Sequence, residues 1–106
     1  MAKYYVQSGA VKMVMDAQDI QGAALWALHS KLGQIAFIYE EGSEWTDQQR
    51  LDQVLMQALI ELETTVLVSE LGFDRADATE LDSFELAVQW HQLATALSSK
   101  GSGLFG

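Results

Sequence analysis

Two β-prone runs separated by Ser8-Gly9 open the chain, and residues 3–16 read as a β-hairpin because glycine supplies the positive φ that such turns need. Pairing Gln7 with Ala10 sets Val6 opposite Val11 and Tyr4 opposite Met13, with Met15 beyond them, on one apolar face. Tyr5, Gln7, Lys12, Val14 and Asp16 take the other face. This alternation predicts a sheet covered on one side.

Asp16 and Asp19 give the acid-rich start that favours a helix N-terminus, and Gly33 supplies a left-handed stop, so a first helix is predicted at 17–32. Ile20, Ala24, Leu25, Leu28 and Leu32 form its core stripe, with Gly22, Trp26, His29 and Ser30 on the far side. Ile35 to Tyr39 is a short apolar run that reads as a further candidate strand. Thr46 with Gln49 is a capping box, and Leu51, Val54, Leu55, Ala58 and Leu59 follow at helical spacing, predicting a second helix at 47–60. The β-branched Thr64, Thr65, Val66 and Val68 then place a strand at 63–70.

Gly72 to Leu81 reads as a polar, acidic loop, after which Asp82 and Glu85 form a second capping box for a helix at 82–98. That helix shows two apolar stripes. Leu86, Trp90, Leu93 and Leu97 make one, expected to be core, and Phe84, Val88, His91 and Thr95 make the other. No charge occurs between Glu85 and Lys100, and a helix with one face in water normally carries some. The pattern as a whole predicts an α+β domain over residues 1–100. Its small, mainly antiparallel sheet is built from the N-terminal hairpin and the 63–70 strand, with 35–39 as a further candidate, and is covered on one face by two or three helices. Residues 101–106, Gly-Ser-Gly-Leu-Phe-Gly, are expected to form a flexible tail.

Composition narrows the classes. The chain has 106 residues, 49% of them hydrophobic, which is enough for one core and too apolar for a disordered polyelectrolyte. The longest apolar runs, Ala23 to Leu28 and Ile35 to Tyr39, are far below the ~20 residues of a membrane span. The N-terminal stretch lacks the features of a secretory signal, so a cytoplasmic location is expected. Cysteine is absent, which excludes disulfides and thiolate chemistry. The net charge of −9 is uneven: residues 1–34 carry +1 and residues 35–106 carry −10, with every acid of that part lying between Glu40 and Glu85. Such a surface repels phosphate backbones, and nucleic-acid binding is not expected.

Candidate chemistry is sparse. Asp74, Asp77, Glu80, Asp82 and Glu85 cluster, but a calcium loop counted from Asp74 fails at Ala76, Ala78 and Thr79, where ligands and a glycine are needed. Capping accounts for Asp82 and Glu85. His29 and His91 each lie near a tryptophan on a helix, yet two histidines with no further ligand spacing do not define a zinc site. Nucleotide-binding glycine motifs are missing. No catalytic, cofactor or metal residue is therefore assigned. Trp26 and Trp45 fall off the predicted core, where they suit either partner contact or partial burial under a loop.

Several stretches resemble a group of short bacterial proteins of the planctomycete type for which no activity is known. They are Lys3-Tyr4-Tyr5-Val6-Gln7-Ser8-Gly9, Ala23-Ala24-Leu25-Trp26-Ala27-Leu28-His29, Val68-Ser69-Glu70-Leu71-Gly72-Phe73-Asp74-Arg75, and Trp90-His91-Gln92-Leu93. The resemblance implies an intact small domain and supplies no mechanism.

The leading expectation is a non-enzymatic interaction or regulatory domain that forms a homo-oligomer. A candidate interface is Phe84, Val88, His91 and Thr95 together with Trp26 and Trp45. Two alternatives stand beside it. One is an acidic mimic or inhibitor presenting residues 40–85 to a basic protein partner; the other is a metal protein or enzyme built on His29 and His91.

Overall fold

A computed structural model describes residues 2–40, 42 and 44–99. The tail at 101–106 lies outside the described residues. Strands β1 (Ala2–Ser8) and β2 (Val11–Ala17) are followed by helix α1 (Ile20–Leu32), a 3-10 helix (Gly33–Tyr39) and helix α2 (Asp47–Glu61). Strands β3 (Thr65–Ser69) and β4 (Thr79–Asp82) and helix α3 (Ser83–Ser99) complete the order. The fold is α+β. One antiparallel sheet runs β2-β1-β3-β4, with three helices packed against it.

The hairpin register differs from the expected one by two residues. Ser8 pairs with Val11, Val6 with Met13 and Tyr4 with Met15, so the two-residue turn is Gly9-Ala10. Gly9 holds φ +58 at the first central position, where a tight hairpin favours glycine. A shift of two preserves the side-chain period, so the faces stay as expected. Tyr4 and Val6 are buried with Val66 and Val68 beneath the helices.

On the opposite face the β3–β4 connection folds back over the strands. Phe73 meets Tyr5 edge-on at 5.2 Å, and Asp74 exchanges hydrogen bonds with Gln7 while its carboxylate takes the Lys12 ammonium at 3.1 Å. Asp74 adopts φ +58, a left-handed conformation that Asp tolerates better than most residues. Those contacts hold its carboxyl below the usual range, the Gln7 bond most and Lys12 next.

Three further expectations need correction. Residues 35–39 form 3-10 helix, not strand: Ile35, Ala36, Ile38 and Tyr39 are buried while Phe37 is exposed, a helical spacing that alternation would not produce. Gly33 is right-handed, φ −57 and ψ −28, so the chain continues into that helix where a left-handed stop was expected. The 72–81 segment is only partly loop, because Thr79–Asp82 forms edge strand β4 on β3 through main-chain bonds. Its acidic side chains mask the edge and hide it from hydrophobic patterning.

The helix starts follow their caps. Asp19 Oδ1 accepts the Gly22 N–H, Thr46 and Gln49 form the full reciprocal box, and Asp82 Oδ1 accepts the N–H groups of Phe84 and Glu85. Two buried serines pin the junction between α2 and β3. Ser8 Oγ donates to the Thr65 carbonyl and accepts the Glu63 N–H, both at 2.9 Å, and Ser83 Oγ donates to the Glu63 carbonyl at 2.5 Å. Ser8→Ala leaves a main-chain donor and acceptor short of a partner in a part-buried site, and should cost about 1 kcal/mol. An unchanged urea midpoint would contradict that assignment.

Candidate functional site

Helix α1 packs on α3 through small residues. Ala23, Ala24 and Ala27 of α1 and Ala87 and Ala94 of α3 are buried, so the two backbones run close together on the sheet. Larger side chains flank that seam, and along one side they leave a groove of about 270 Å³. Gly22, Leu25, Trp26 and His29 line it from α1, and Trp90, Leu93, Ala94 and Leu97 from α3.

Aromatic contacts connect this groove to the far side of α3. Trp26 meets His29 edge-on at 5.6 Å, and Trp90 Nε1–H donates to His29 Nδ1 at 3.3 Å. Trp90 in turn packs edge-on against Tyr39 at 5.6 Å. Tyr39 Oη lies 2.6 Å from His91 Nδ1, and His91 Nε2 lies 3.0 Å from Asp47 Oδ1. Burial pushes the Tyr39 phenol well above its ordinary range, with the Arg50 charge opposing it, so the phenol stays protonated.

The carboxylate, imidazole and phenol are aligned in that order, with Asp47 at the exposed end. Tyr39 and His91 are both buried, and the array ties the 3-10 helix, α2 and α3 together. The two histidines lie on either side of Trp90 and do not share a site. No group of three or more His, Asp or Glu side chains among the described residues is arranged to hold a metal ion.

The expected interface residues divide. Trp26 is 62% exposed on the groove rim, and Trp45 is partly exposed beside the N-terminus of α2. The 84/88/91/95 stripe of α3 is turned toward α2, with His91 only 5% exposed, Val88 and Thr95 half-buried and Phe84 at the edge beside Leu59. The face expected to need a second copy is thus partly covered within the chain, with Phe84 left exposed. Thr95 Oγ1 is buried there without a hydrogen-bond partner among the described residues. Leu93 and Leu97, expected in the core, are instead 50% and 38% exposed along the groove. The acidic cluster resolves into local roles: Asp74 binds Gln7 and Lys12, Asp77 binds Arg75, Asp82 caps α3 and Glu80 lies on β4.

Desolvation lowers the pKa of His29, which suits an imidazole that accepts the Trp90 N–H at Nδ1. A depressed histidine contributes stability that is complete above the unfolded value of 6.5 and is lost as pH falls toward the folded value, because the unfolded chain binds the proton first. Stability should therefore fall between about pH 7.5 and pH 5.5, and the fall should be smaller in His29→Gln. Denaturant midpoints at the two pH values check this, and an equal loss in both proteins contradicts it.

Compared with protein-family models, curated proteins and solved structures, the chain matches none. No helix among the described residues is long and apolar enough to cross a membrane.

Proposed function

We propose that this protein is a non-enzymatic interaction domain that self-associates through the face shared by α1 and α3. The observation that carries the reading is the side-by-side placement of a projecting Trp26 and an apolar groove on one face. A two-fold interface requires a patch that is complementary to itself, and an adjacent knob and hole meet that requirement. Under such symmetry each Trp26 enters the groove of the other copy, between Leu25, Leu93 and Leu97.

Charge favours the same face. A chain of net charge −9 resists meeting its own copy, and among the groove-lining residues only His29 titrates. Desolvation keeps that histidine neutral more readily. The acids lie mainly on α2, β4 and the connections, away from the face that would be shared. Light scattering and sedimentation across the micromolar range test the reading. A concentration-dependent shift from monomer to dimer is expected, and a monomer at every concentration would overturn it.

A further inference from the structure

The outer face of α2 carries a second apolar surface, separate from the α1/α3 groove. Met56, Leu59 and Ile60 are 58%, 60% and 71% exposed, and their i, i+3, i+4 spacing places them on one stripe of the last turns. Phe84 borders the stripe across a depression of about 230 Å³ that also contains Leu59, Leu62 and Glu63. Toward the helix N-terminus the same outer surface continues through Asp52 and Gln53 to an open hollow edged by Glu44 and Trp45.

The charge around this stripe has one sign. Asp52 precedes Met56 by one turn, Glu63 lines the Phe84 depression, and Glu44 stands at the far end. No ion pair among the described residues involves any of the three. Arg50, the basic residue of α2, is turned inward: its Nε–H donates to the Ile38 carbonyl at 2.7 Å and its guanidinium lies 5.7 Å from the Tyr39 ring centre. Lys12 and Arg75 are paired with Asp74 and Asp77.

We propose that this face of α2 is a docking surface for a cationic amphipathic helix of a protein partner. Charge complementarity selects that occupant. A second copy would set Asp52, Glu63 and Glu44 against themselves, and an anionic lipid surface would be repelled in the same way. A helix with a leucine stripe flanked by lysines covers the apolar residues and neutralises the acidic rim together. Met56 adds an adaptable contact of the kind used by surfaces that accept such helices.

The probe is a fluorescein-labelled helical peptide of about fourteen residues, built only from leucine and lysine at amphipathic spacing and added to the full chain. Fluorescence anisotropy should show saturable binding that weakens about tenfold between low and physiological-to-high salt. Leu59→Ser combined with Ile60→Ser should weaken it about tenfold or more, and Asp52→Lys by several-fold, while Trp26→Glu leaves it unchanged. All of these side chains are exposed, and thermal melts confirm that each variant remains folded.

Failure to saturate, insensitivity to salt, or equal affinity in the serine double variant would each overturn the proposal. So would equal binding of a lysine–glycine peptide, which would make the surface a plain polyanion, or loss of binding in Trp26→Glu, which would move the site to the groove. Vesicles of phosphatidylcholine with phosphatidylglycerol should not bind the protein; co-sedimentation with them would overturn the choice of occupant. Because the two faces are separate, a monomeric protein that binds the peptide would sink the self-association reading and leave this one standing.

Discussion

Replacing Trp90 by alanine is expected to lower stability by about 3–5 kcal/mol, the range for deleting a fully buried large aromatic. Trp90 is 4% exposed, packs against Tyr39 and donates to His29, so its removal opens a void between the groove and the Tyr39–His91 pair. A loss of that size is a large part of the total stability of an ordinary domain, and the melting temperature should drop by well over about 10 °C. The same truncation at Trp26, 62% exposed, should stay within about 1 kcal/mol. Urea denaturation of the two variants checks the contrast, and similar midpoints would show that Trp90 is not a core anchor.

Trp26→Glu should have the opposite profile, with little change in stability and a rise of about 100-fold or more in the dimer dissociation constant. A buried aromatic anchor at the centre of an interface contributes upwards of about 2 kcal/mol, and a carboxylate placed in an apolar groove adds a desolvation penalty to its loss. In a two-fold dimer the change enters both halves of the interface at once, which amplifies the effect. Sedimentation velocity at several concentrations, with a denaturation curve on the same sample, separates the outcomes. A variant that dimerises as well as the parent would move the interface elsewhere.

Much of the architecture was legible in residue order because it depends on near neighbours. Caps are contacts over two or three positions, so Thr46 with Gln49 and Asp82 with the start of α3 announced their helices. Strand faces follow from a period of two, so even a hairpin register displaced by two residues left Tyr4 and Val6 inside. Strand β4 escaped for the complementary reason, since main-chain pairing with β3 holds it and its side chains mostly face water. Residues 35–39 escaped because a five-residue apolar run carries too few positions to separate period two from helical spacing.

The candidate site divides along the same line. Residue order alone determined that α1 and α3 carry almost no charge, that α3 has two apolar stripes, and that Trp26 lies off the main stripe of its helix. It placed Leu86, Trp90, Leu93 and Leu97 in the core together, and did not determine how far along the helix each stripe is buried. Tertiary packing decided that and divided both stripes: Leu86 and Trp90 of one are inside, and α2 covers Val88, His91 and Thr95 of the other while Phe84 stays exposed, with Asp47 and Tyr39 giving the buried His91 the partners it requires. Leu93 and Leu97 are left facing Trp26 across the groove, because the buried face of α3 centres on Leu86, Ala87, Trp90 and Ala94 and the two leucines fall beyond its edge.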